Sequence, residues 1–164
     1  MIRRMFKSLL ALLFLLPLSG FAQATPPKPD FSGRWHMLKE KSAFAGFKSP
    51  DIVTRMVDQQ GVIMNVHTVE TSGAKTSIAD VSYSVDGTPT QNVVNGRDAE
   101  SKTYWDGSTL VVRTSMKTSS GDPELIEDRW SLSDDKQILT TASHIETDKG
   151  EVDMTLVCKR QRAQ

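Results

Sequence analysis

The sequence predicts an all-β protein: an antiparallel up-and-down meander of about 8–10 strands, closing as a barrel or folding as a sandwich. Three observations carry this reading. Beyond Asp30 almost every segment is a short run bounded by turn residues, with no long helical pattern between runs. Three Asx-Gly pairs, Asp86-Gly87, Asn95-Gly96 and Asp106-Gly107, separate such runs as two-residue hairpin loops do. Each loop sets its own register, and all three assign the same residues to one face.

Strands are expected at 33–39, 51–58, 62–69, 76–85, 88–94, 97–105, 108–117, 124–132, 138–146 and 151–160, with room for a short helix only within 39–48. In the first strand Trp35 faces inward and His36 outward, because neighbours on a strand alternate faces. Val62, Met64 and Val66 make the inner row of the third, which turns His67 to solvent. In the fourth, Ala79, Val81, Tyr83 and Val85 face inward. The Asp86-Gly87 loop sets Tyr83 opposite Thr90 and Val81 opposite Asn92, so Thr88, Thr90 and Asn92 share that face.

The Asn95-Gly96 loop sets Asn92 opposite Ala99 and Thr90 opposite Ser101. The Asp106-Gly107 loop sets Thr103 opposite Leu110, Ser101 opposite Val112 and Ala99 opposite Thr114, with Glu100 and Arg113 paired outside. The inner face therefore continues through Ala99, Ser101, Thr103 and Trp105, then Leu110, Val112, Thr114 and Met116. Ile126, Asp128 and Trp130 follow on the eighth strand, and Val152, Met154, Leu156 and Cys158 on the last.

This face is apolar at both flanks and polar in the middle. Thr90, Asn92, Ser101 and Thr103 are costly in a dry core unless hydrogen-bonded. The patch is either the wall of a hydrated cavity or a sheet edge that faces water.

The chain has 164 residues, of which the first 24 have the form of an export signal. Arg3, Arg4 and Lys7 make a positive start, residues 9–18 an apolar stretch, and Ala22-Gln23-Ala24 the small-x-small pattern before a cleavage site. Position 21 is Phe, so no lipoprotein cysteine is present there. Removal leaves 140 residues with 17 basic side chains against 20 acidic ones, a net charge of −3 that disfavours a nucleic-acid binder. No second apolar run approaches the roughly 18 residues of a membrane span. A periplasmic or secreted protein is expected, with a Pro-rich lead-in at 25–29 and a single domain over 30–164. Cys158, the one cysteine, has no partner for a disulfide within the chain and is expected to be buried.

Asp30-Phe31-Ser32-Gly33-Arg34-Trp35 resembles the aromatic-x-Gly-x-Trp opening of lipocalins and their calycin relatives. The resemblance implies an up-and-down barrel closed at one end by Trp35, with Gly33 in the motif and Arg160 packed across the indole. Lys41-Ser42, Trp105-Asp106-Gly107 and residues 130–133 extend the likeness to small secreted bacterial proteins of lipocalin-like fold. It implies a fold more than a function. The middle-loop signature, long terminal helix and disulfides of larger lipocalins are missing.

No catalytic constellation emerges. His36, His67 and His144 lack ligand spacing, and there is neither a nucleophile elbow nor a phosphate-cradling glycine loop, so no metal, cofactor or enzymatic activity is expected. Asp128 stands apart as a carboxylate on the buried face, a position that suits an interior salt bridge, a wet strand end or proton transfer in a small-barrel isomerase or cyclase. The leading expectation is a binder of a small apolar or amphiphilic molecule, with Tyr83, Thr90, Asn92, Ser101, Thr103, Trp105, Thr114 and Trp130 lining the barrel. The alternative is a periplasmic interaction module or hydrolase inhibitor acting through loops such as 118–123. Intact-mass analysis of the exported protein is expected to show a chain beginning at Thr25; a chain that retains residues 1–24 and partitions into membranes contradicts the export reading.

Overall fold

The computed structural model describes residues 27–162; the expected leader and the first two residues of the lead-in lie outside the described residues. Ten strands are present: β1 (Gly33–Met37), β2 (Ile52–Gln60), β3 (Ile63–Ser72), β4 (Lys75–Ser84), β5 (Thr90–Val94), β6 (Arg97–Asp106), β7 (Thr109–Lys117), β8 (Pro123–Leu132), β9 (Ile138–Thr147) and β10 (Gly150–Arg160). They form one antiparallel sheet in the order β4-β3-β2-β1-β10-β9-β8-β7-β6-β5. Pairing of β1 with β10 curls the meander into a barrel, and β4 and β5 meet at its one unzipped seam. The expected all-β meander is therefore a barrel of calycin type. Residues 39–48 contribute only the 3-10 turn Lys39–Lys41, after which Ala43 bridges Thr155 of β10 through two 2.8 Å backbone hydrogen bonds.

Turn chemistry decides the registers. Asn95-Gly96 closes its hairpin as expected, with both residues at positive φ and Thr90 opposite Ser101. Asp106-Gly107 does not form the expected loop. Asp106 ends β6 opposite Thr109, so the loop is Gly107-Ser108, with positive φ at Gly107 alone. A Gly-first loop of this kind has the pattern of a II′ turn. The register moves by two residues, placing Thr103 opposite Val112, Ser101 opposite Thr114 and Ala99 opposite Met116. Faces repeat every two residues, so the inward set of β6 and β7 is unchanged. The expected Glu100–Arg113 pair is corrected, however: Glu100 lies opposite Ser115, and Arg113 bonds Glu127 on β8 at 2.8 Å.

Asp86-Gly87 is a second correction. The Asp86 carboxylate accepts from Ser84 Oγ at 2.7 Å and from the Thr88 amide at 2.9 Å, building a wide corner where a two-residue hairpin was expected. Thr88 is consequently exposed, not inward, and no ladder joins Tyr83 to Thr90 or Val81 to Asn92. The Asn92 side chain joins the two strands at the seam. Asn92 accepts from the Ser82 amide at 2.8 Å and donates to the Ser82 carbonyl at 3.0 Å, so its carboxamide takes the place of a peptide group.

One end of the barrel is sealed. Trp35 is fully buried, and its indole N–H donates to the Phe31 carbonyl at 3.0 Å. Arg160 lies over the Trp35 ring at 4.2 Å, as the resemblance implies, and donates to the carbonyls of Ser32 (2.6 Å) and Lys136 (2.9 Å). Gly33 makes this possible: a Cβ there would stand 2.4 Å from Arg160 Nη1, and its φ of +144° suits glycine. Phe31 fills the plug, edge-on to Trp130 at 6.0 Å and stacked on Trp105 at 6.2 Å. Replacing Arg160 by Ala is expected to cost about 2–4 kcal/mol of unfolding free energy, since it removes a cation–π contact and two carbonyl partners. Urea denaturation measures this, and an unchanged midpoint would show that Arg160 does not hold the closed end.

Candidate functional site

Pleating along each strand decides what the lumen contains. On β2, the inward row is Val53, Arg55 and Val57, since Trp35 of β1 pairs with Arg55 and Gly33 with Val57. Arg55 thus enters the barrel between two buried valines. Its Nε donates to Thr68 Oγ1 on β3 at 3.2 Å and its Nη1 to Thr141 Oγ1 on β9 at 3.0 Å. The guanidinium lies 4.7 Å from the centre of the Trp130 ring. These contacts span the lumen from one wall to the other.

Asp128 occupies the next inward position before Trp130 on β8, opposite Ser143 as Trp130 is opposite Thr141. Ser143 Oγ donates to it. Arg55 and Asp128 form no ion pair: each takes hydroxyl partners one rung apart on β9. Burial pushes the Asp128 carboxyl above the ordinary carboxylate range, against the opposing effects of the Ser143 hydrogen bond and the Arg55 charge. Tyr83 on β4 completes the group. Burial raises its phenol well above the usual value, the charge of Asp128 adds to this, and Arg55 opposes it.

Exposure changes along the barrel. Around the plug, Met64, Leu110, Val112, Leu139 and Cys158 are sealed. Elsewhere on the inner rows Ala79, Ile126, Ser143 and Met154 keep part of their surface open, whereas Val53, Ala99, Ser101, Thr114 and Met116 are buried. Side chains that point into a barrel retain such surface only where the lumen is not filled. A recess of about 680 Å³ at the open mouth includes Lys48, Glu70, Lys75, Ala79 and Asn95 and reaches down to Thr68, the acceptor of Arg55 Nε.

The residues singled out from sequence separate into three groups. Tyr83 and Trp130 stand with Arg55 and Asp128 in the middle of the lumen. Trp105 belongs to the closed end, where its indole N–H donates to the Val85 carbonyl at 2.9 Å and Lys28 covers its ring at 4.9 Å. The hydroxyls and amide of the wall are engaged within the protein. Ser101 and Thr114 bond each other at 2.9 Å, Thr103 donates to the Ser84 carbonyl, Thr90 to the Ser101 carbonyl at 3.5 Å, and Asn92 holds the seam. Arg55 was missing from the sequence-based set. Its signal was its inward parity between Val53 and Val57, a charge placed where alternation calls for an apolar side chain.

On the outer face His67 pairs with Asp80 at 2.7 Å and His144 with Asp153 at 2.8 Å. No cluster of three or more His, Cys, Asp or Glu side chains suited to a metal is present among the described residues. Cys158 is buried, and loss of solvation pushes its thiol up to about 11, which keeps it in the unreactive protonated form. No helix among the described residues is long and apolar enough to cross a membrane.

No family model matches the chain and no curated protein matches it. Solved structures do. A secretory abundant heat soluble (SAHS) protein of Ramazzottius varieornatus superposes with a TM-score of 0.58 at 14% identity, over 79% of this chain and 94% of that one. Zebrafish ileal bile acid-binding protein, complexed with cholic acid, does so with 0.56 at 12% identity, over 80% and 98%. Caenorhabditis elegans lipid binding protein 8 matches with 0.56 at 9% identity, over 80% and 95%. At such identities the likeness is one of fold, an antiparallel up-and-down barrel.

The raised pKa of Asp128 has a definite sign. A carboxyl that holds its proton more tightly when folded stabilises the protein fully below its unfolded value, near 3.8, and that stability is lost as pH rises through the folded value. Asp128→Asn is therefore expected to raise the thermal midpoint at pH 7 and to bring no gain at pH 3. Midpoints measured across this range that show the opposite trend contradict the assignment.

Proposed function

We propose that this chain is an exported carrier that holds a small apolar or amphiphilic molecule in the lumen of its barrel. The observation that carries the reading is that inward side chains on β4, β8, β9 and β10, among them Ala79, Ile126, Ser143 and Met154, keep open surface while those around Trp35 are sealed. An apolar wall with free surface, a walled-off floor and a few convergent polar groups is the general form of a small-molecule site. Similarity of fold to proteins named for bile acid and lipid binding supports it. Export rests on the form of residues 1–24.

Titration with the neutral apolar dye N-phenyl-1-naphthylamine is expected to give saturable dye emission and to quench tryptophan fluorescence through Trp130. Ala79, inward and partly open on β4, is the position at which to fill the lumen. Ala79→Trp is expected to weaken dye binding at least about tenfold while leaving the circular dichroism of the sheet intact. Folded wild-type protein that binds no dye saturably, or an Ala79→Trp variant that binds as well as wild type, contradicts lumenal binding.

A further inference from the structure

We infer that the polar end of the lumenal ligand is an oxyanion held by Arg55, and that Asp128 accompanies it as the neutral acid, so that anion binding takes up one proton. This deepens the lumenal reading and rests on it. The first support is an incomplete set of partners. Arg55 spends Nε and Nη1 on threonine hydroxyls, while the described residues give Nη2 no acceptor and the guanidinium no carboxylate within ion-pair distance. The second is independent of charge: Nε1 of Trp130, the ring beneath that guanidinium, is the one buried side-chain polar atom without a hydrogen-bond partner among the described residues. Two donors of one contact pair thus lack an acceptor, the indole N–H within the buried core and Nη2 on the guanidinium beside it.

The linkage follows from the inventory of charge. Among the described residues Arg55 from β2 is the one cation acting on Asp128, and Tyr83 from β4 is the other titratable group that senses both. On either side of Asp128, β7 presents Val112 and β9 presents Ser143; β10 presents Met154, Leu156 and Cys158 to the lumen. One guanidinium charge balances one anion, and like charges sharing a site drive one of them to protonate. The bound oxyanion contacts Arg55, so the proton goes to Asp128, whose burial already favours the neutral form. The proton comes from solvent.

Decanesulfonate, anionic at every pH used, and decanol, of equal chain length and neutral, test this by competition with the dye between pH 5 and 8. The expected result is sulfonate affinity that falls as pH rises once Asp128 of the free protein is ionised, with tenfold per unit as the limiting slope, and decanol affinity that stays flat. Asp128→Asn should bind sulfonate with a flat profile, and Arg55→Gln should lose the preference for sulfonate over decanol by at least tenfold. Decanol binding without sulfonate binding overturns the inference and leaves the carrier function standing. So does sulfonate affinity with the same pH profile in wild type and Asp128→Asn. Failure of both ligands and the dye ends both readings. If Arg55→Gln does not fold, the Asp128→Asn profile still decides the linkage.

Discussion

Arg160 lying across Trp35 is the contact on which the rest of the barrel depends. Only three residues of β1 pair with β10, so the join that turns an open meander into a ring is short. Arg160 strengthens it from the side, joining β10 to the Ser32 carbonyl before β1 and to the Lys136 carbonyl before β9 while its guanidinium covers the indole. Phe31 then wedges between Trp105 and Trp130, carrying the same plug to β6 and β8. Because the floor is made from large aromatic groups and long-range contacts, closure of the ring does not depend on the inward side chains of β4, β8 and β10 that keep open surface.

The opposite side of the ring is held more lightly. At the seam between β4 and β5 the Asn92 carboxamide makes the two hydrogen bonds to Ser82 that a neighbouring peptide would have made. This explains a polar side chain on an inward row better than a wet wall does: the amide faces backbone groups that are otherwise unpaired. Ser101, Thr114 and Thr103 follow the same rule, each engaged by another hydroxyl or a carbonyl. Polarity on the inner face therefore has two origins. Most of it satisfies the barrel itself, and the part built on Arg55, Asp128 and Trp130 is left with unmet donors.

That distinction gives the lumen its chemical character. An arginine held by two threonines and an aromatic face is positioned without being neutralised, and a carboxyl kept apart from it by one rung of β9 remains free to change protonation. Had the two formed a direct ion pair, the site would be closed to a charged ligand. Their separation is set by which strands carry them, β2 and β8, on opposite walls of the barrel.

Much of this architecture was legible in the chain. Alternation alone determined that Trp35, Tyr83, Ser101, Thr103, Asp128, Trp130 and Cys158 face one way, because a strand side chain can take only two directions and one row is apolar overall. Aromatic-x-Gly-x-Trp near the start and an arginine of inward parity near the end carried the closure. Register was less legible, since Asp106-Gly107 as written fits either an Asx-Gly or a Gly-first loop, and only the backbone conformation of the folded hairpin places Gly107 first. Asp86-Gly87 failed for a related reason: its aspartate serves as an acceptor for the corner, not as a loop residue between paired strands. Arg55 could be read as inward but not as the partner of Thr68, Thr141 and Trp130, and Asn92 not as the clasp of the seam. Those roles depend on which walls stand opposite once the ring closes, and closure brings together residues too distant along the chain for any local pattern to relate.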